Sequence, residues 1–133
     1  HTAAGTTIAM MAEVNLQKDQ IWVPRIVCAV DCGQIINPAT LIAQIESAIV
    51  FALSATLYQR ISFIDGAVQQ KNFSHYPMLR FSDMPKIEVY TMESQSPPGG
   101  ISELPVPLVA PAVANALFAL TGKRYRNLPL QKV

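Results

Sequence analysis

Charge is scarce in this sequence: only 14% of its 133 residues are Asp, Glu, Lys or Arg, against about 25% in an ordinary globular protein. Ten basic residues against nine acidic ones leave a net charge of +1, which argues against a nucleic-acid footprint. The one basic cluster, Lys123-Arg124-Tyr125-Arg126, follows a predicted helix C-terminus, where cations are favourable anyway. Cysteine and histidine are rarer still, with two of each. Cys28 and Cys32 would share one face of a strand but lie too far apart along it to bridge easily, so they read as structural thiols. His1 and His75 have no partner at ligand spacing, and no phosphate loop, nucleophile elbow or zinc motif is present. Direct metal ligation by these side chains is therefore not expected. A cofactor would have to bring its own metal. The longest apolar stretch, Leu41 to Tyr58, is interrupted by Gln44, Glu46 and Ser47, and its unbroken part is too short to span a bilayer. No signal peptide is visible and the chain opens at His1, which suggests a processed chain or an excised fragment.

What is present reads as a single α+β unit over residues 1–133, with antiparallel strands and hairpins packed against two main helices. Ile8 to Leu16 and Gln20 to Val30 are rich in β-branched residues and are predicted to form strands joined by a turn at Lys18-Asp19. Pro24 interrupts the second, which points to a bulge or an edge position. Asn37 and Pro38 suit the cap and first turn of a helix running from Ala39 to about Arg60, apolar on nearly all sides and therefore buried. Asp65-Gly66 between apolar runs marks a hairpin. Residues Ser74 to Pro85 read as an ordered loop, and Lys86 to Met92 alternates as a half-buried strand does. A last short helix, Ala112 to Leu120, is expected to enter at Pro111 and close at Gly122.

Two residues could carry chemistry. Between Ser94 and Gly122 the only charged residue is Glu103, and five of the ten prolines fall between Pro97 and Pro111. Prolines stiffen the backbone around it, while Gly99 and Gly100 allow close approach of another group. A carboxylate in apolar company loses hydration and suits a general base working near neutral pH; an exposed loop glutamate is the alternative. Gln44 heads a helix face continued by Ala48, Ala52 and Ala55. Its amide could read the edge of a heterocycle, or could be satisfied by helix packing.

The run Val30-Asp31-Cys32-Gly33, Asn37-Pro38 and Ala43-Gln44-Ile45-Glu46 before Phe51-Ala52-Leu53-Ser54-Ala55 resembles the xanthine dehydrogenase and aldehyde oxidase family of molybdenum hydroxylases. So do Gln70-Lys71-Asn72-Phe73, His75-Tyr76-Pro77, Pro97-Pro98-Gly99-Gly100 with Glu103, and Ala110-Pro111-Ala112-Val113-Ala114-Asn115-Ala116. The resemblance covers nearly the whole chain and is nearest to the bacterial isoquinoline 1-oxidoreductase branch. It implies the C-terminal portion of a molybdopterin-binding large subunit, incomplete on its own. Such an oxidoreductase hydroxylates an N-heterocycle or oxidises an aldehyde with oxygen from water. It implies that Glu103 is the base acting on a metal-bound hydroxyl, and that Gln44, Gly100 and Ser102 contact the cofactor. The cofactor implied is molybdenum–molybdopterin in its cytosine dinucleotide form. Implied partners are the remaining large-subunit segments, a 2Fe–2S small subunit and a cytochrome c subunit, and the implied location is the periplasm or cell envelope. Three positions depart from the family pattern: its Gly-Glu-Pro is here Ser102-Glu103-Leu104, and a glycine after Glu46 is here Ser47. A structural chain keeping the fold without turnover is the alternative.

Overall fold

In the computed structural model, which describes residues 1–18 and 20–130, a four-stranded sheet is covered on one face by two helices. The chain begins with β1 (Thr2–Ala3), which turns at once into the long pair β2 (Thr6–Gln17) and β3 (Gln20–Asp31). Lys18 enters the β2–β3 turn with φ of 50°, while Asp19 lies outside the described residues. The β2–β3 ladder is antiparallel, and its register slips between Glu13–Arg25 and Asn15–Trp22. Two residues, Val23 and Pro24, thus stand opposite Val14 alone. This is the bulge expected at Pro24, whose ring cannot donate to a ladder.

Helix α1 (Pro38–Leu57) starts where Asn37 accepts a hydrogen bond from the Thr40 N–H at 3.1 Å, leaving Pro38 in the first turn. By length and composition alone α1 could cross a membrane; here its stripe Leu41, Ile45, Ile49, Leu53 and Leu57 is buried in the core. The chain then forms the small hairpin β4 (Phe63–Ile64) and β5 (Ala67–Val68). Asp65 and Gly66 both adopt positive φ, 50° and 74°, as the favoured two-residue hairpin turn requires. Two single 3₁₀ turns, at Phe73–His75 and Phe81–Asp83, lead into β6 (Lys86–Thr91).

The sheet order is β1-β2-β3-β6, and β6 runs parallel to β3. The sheet is therefore mixed rather than purely antiparallel. A parallel neighbour needs a long crossover, and α1 with the segment after it supplies one. On the outer face three strands are tied by Arg25. Its guanidinium donates to both oxygens of Glu88 at 3.0 Å and to Glu13 at 2.7 Å, and Lys86 reaches Glu88 at 2.8 Å.

Helix α2 (Val106–Thr121) begins six residues earlier than the proline-based expectation and contains Pro111. Pro105 serves as N-cap and Pro107 falls in the first turn, where no N–H is needed. Pro111 forfeits one intrahelical bond, a cost of about 3 kcal/mol or more. Val109, Val113 and Leu117, each 0% exposed, gain roughly 1.5–3 kcal/mol apiece on burial. The apolar stripe outweighs the proline. Gly122 closes the helix at φ of 71°, and beyond it Arg124 lies 3.6 Å from the centre of the Phe118 ring.

Both helices share one core with Ile8, Val23, Ile26, Cys28 and Val30 of the sheet. Cys28 and Cys32 are free and buried; burial pushes the Cys28 thiol up to about 11. Both fit the expected reading as structural thiols.

Candidate functional site

The segment Pro97–Gly100 forms a strap across the end of the sheet. Gly99 N–H donates to the Cys32 carbonyl at 2.8 Å, Gly100 N–H donates to the Ala4 carbonyl at 2.8 Å, and Gln34 N–H donates to the Ser96 carbonyl at 2.9 Å. The buried Thr6 hydroxyl donates to the Gly100 carbonyl at 2.7 Å. These approaches exclude side chains. A Cβ on Gly33 would sit 2.2 Å from the Pro97 oxygen, and one on Gly99 would sit 2.4 Å from Thr6 Oγ1 and 2.7 Å from the Gly5 oxygen. Glycine is used here for close packing of backbone on backbone.

Between the strap and the first turns of α1 lies an open depression of about 250 Å³, lined by Gln34, Asn37, Thr40, Gln44, Gly99 and Ile101 among others. Among the described residues, no charged one lines it. Gln44 is exposed on its wall. The alanine face expected to continue from Gln44 is not open, because Ala48 and Ala52 are buried in this chain's own interior at 6% and 3% exposure. The open stripe runs instead through Thr40, Gln44, Ser47 and Phe51, a step of three or four residues at a time, as one helix face requires.

From Ile101 the strap passes through Ser102 and Glu103, both exposed, to Leu104 and Pro105, both buried. Leu104 anchors the segment in the core. The Glu103 carbonyl accepts from Val106 N–H at 3.1 Å, tying this residue to the start of α2. Its carboxylate accepts from the Ser102 hydroxyl at 2.5 Å. Of the two readings of Glu103, a carboxylate desolvated by apolar neighbours or an exposed loop glutamate, this chain shows the exposed one. Leu104 and Pro105 turn into the core and leave the carboxylate outside.

The structure therefore brings Gln44 together with Pro98, Gly99 and Ile101, whereas Gly100, Ser102 and Glu103 are not among the residues lining the depression. Gln34, Thr40 and Ile101 contribute to the wall without standing out in the sequence. The spacing Asn37, Thr40, Gln44 down one helix face was the signal available for part of it.

The family described as molybdopterin cofactor-binding domain matches residues 1–85, a span that includes Gln44 and ends ahead of the strap. The beta chain of the isoquinoline 1-oxidoreductase of Brevundimonas diminuta is 36% identical over 93% of this chain and 16% of its own length. A chain of the nicotinate dehydrogenase of Pseudomonas putida is 34% identical over 88% of this chain and 10% of its own length. The aldehyde oxidoreductase of Desulfovibrio gigas has the same fold, with a TM-score of 0.82 at 22% identity over 93% of this chain and 14% of that one. The chain thus spans a small part of the relatives it matches. It belongs to the molybdopterin cofactor-binding domain family of the molybdenum hydroxylases.

Proposed function

We propose that this chain is the C-terminal portion of the catalytic large subunit of a molybdenum–pterin oxidoreductase, which hydroxylates an N-heterocycle or oxidises an aldehyde with oxygen from water. The observation that carries this reading is the uncharged depression shared by Gln44 and the strap. The strap leads within a few residues to Glu103, the one charged residue between Ser94 and Gly122.

The residues present fit such a cofactor. Gln34, Thr40 and Gln44 offer neutral donors and acceptors of the kind that read a heterocycle edge. Among the described residues no cluster of His, Cys, Asp or Glu could hold a metal ion, which suits a group that carries its own. At about 250 Å³ the depression is smaller than the roughly 300–1,000 Å³ of sites that enclose a small molecule. It supplies one wall, and other segments of the large subunit supply the rest. In this reading Gln44 binds and orients the cofactor at the depression, and Gly100 and Ser102, which stand outside its lining, contact it from the segment beyond. When bound, the molybdenum–pterin group supplies oxygen insertion and takes up the substrate's electrons. Glu103 accepts a proton at its carboxylate, and the Ser102 hydroxyl holds that carboxylate in place. We further propose, as the resemblance to the isoquinoline 1-oxidoreductase branch implies, a cytosine dinucleotide form of the pterin, electron exit through a 2Fe–2S small subunit to a cytochrome c subunit, and a periplasmic or envelope location.

The alternative, a structural chain without turnover, draws on Ser102 and Ser47, both exposed, the latter one turn along the same stripe as Gln44. Leu104 does not favour it, since that side chain is buried.

Glu103→Gln in the full assembly tests the reading. Positioned general bases contribute about 10²–10⁴-fold, so turnover falls by that order while molybdenum content is unchanged. The loss appears in reduction of the enzyme by substrate and not in reoxidation. Near-normal reduction by substrate would refute the assignment.

A further inference from the structure

Among the described residues, the long strand β2 is unpaired along most of its outer edge. β1 covers only Thr6 and Thr7, and beyond it His1 and Ile8 exchange both backbone bonds: Ile8 N–H donates to the His1 carbonyl at 2.8 Å, and the His1 amino group donates to the Ile8 carbonyl at 2.9 Å. Ile8 thus points its backbone groups away from β3. Backbone direction alternates along a strand as hydrogen-bonded and non-hydrogen-bonded pairs alternate along an antiparallel ladder. Met10, Ala12, Val14 and Leu16 therefore also present their N–H and C=O groups to the open edge. Ala9, Met11 and Glu13 face β3 and pair with Ala29, Val27 and Arg25.

A long, regular open edge is a template for another strand, and main-chain pairing with such an edge is a recurrent docking mode. The occupant follows from register and direction. β1 already runs antiparallel along this edge, and the chain before His1 would leave along it. The family relatives are many times longer than this chain, which covers 16% of the first and 10% of the second. The outer edge of β6 carries no comparable indication of what covers it.

We propose that the polypeptide immediately preceding His1 in the longer large subunit extends β1 as a strand along the β2 edge. The second, fourth, sixth and eighth residues before His1 then pair with Met10, Ala12, Val14 and Leu16. The inference rests on the reading that the chain is part of a longer polypeptide. It adds a structural tie between this portion and the rest that is independent of any cofactor contact.

The test is residue-resolved hydrogen exchange on the natively purified large subunit, together with photo-crosslinking from Asn15→p-benzoylphenylalanine, an exposed position on β2. The amides of Met10, Ala12, Val14 and Leu16 are expected to exchange as slowly as those of Ala9, Met11 and Glu13. The cross-linked peptide is expected to be the one leading into His1. Fast exchange confined to the first set would overturn the inference, as would a cross-link to a second copy or to another subunit. Molybdenum content of the same preparation keeps the two readings apart. Stoichiometric molybdenum with an open edge sinks only the strand, whereas a natural polypeptide that is this chain alone sinks both.

Discussion

Gln44 and Glu88 show how differently two polar residues are employed. Gln44 stands on the wall of an uncharged depression. If its amide holds the cofactor, Gln44→Ala in the assembly loses a bond of roughly 0.5–1.5 kcal/mol. Molybdenum retained after prolonged dialysis is then expected to fall with the fold intact, and unchanged retention would return Gln44 to a packing role. Glu88 is spent on structure: the hydrogen bonds from Arg25, then Lys86, hold its carboxyl down to about 2. A group depressed in the folded state stabilises it above the unfolded pKa, near 4.3 for Glu, and that contribution is lost as pH falls through the folded value. Unfolding midpoints in urea are expected to drop between about pH 5 and pH 2, and Glu88→Gln should flatten that segment of the curve. The identity of Glu103 as the lone charge was legible in sequence. Its exposure was not, because the proline-rich neighbours could equally have folded over it, and only the turn of Leu104 into the core decides the matter.

Among the elements, the hairpin at Asp65-Gly66, the cap at Asn37 and the bulge at Pro24 were legible because each depends on a few adjacent residues. The parallel direction of β6 was not: its alternation is the same in either direction, and the crossover that sets it spans residues 38–85. The start of α2 was missed because prolines argue locally against helix, while Val109, Val113 and Leu117 act together only once a core exists. The strap shows the same dependence on distant partners. Gly99→Ala places a methyl against Thr6 Oγ1 and the Gly5 backbone, where little can yield. Overpacking of this kind costs about 1–3 kcal/mol. The variant is expected to lower the unfolding midpoint, whereas Gly66→Ala, with nothing within 4 Å of its new methyl, should meet only the backbone penalty of a positive φ. Equal losses in calorimetry would remove the strap's packing role.

At the scale of the whole molecule, the apolar composition has a structural counterpart. Phe73 and Phe81 are 83% and 90% exposed, Phe51 is uncovered on α1, and Ile36 stands uncovered on the wall of the depression. A shallow, uncharged depression and a carboxylate presented to the outside are what the proposed reading expects of one wall of a larger site. The molybdenum–pterin reading joins them in one account. Its most direct test is the molybdenum content of the natively purified assembly containing this chain, measured beside that of the isolated chain. Stoichiometric molybdenum in the assembly and none held by the chain alone is the predicted result; an assembly devoid of molybdenum would contradict it.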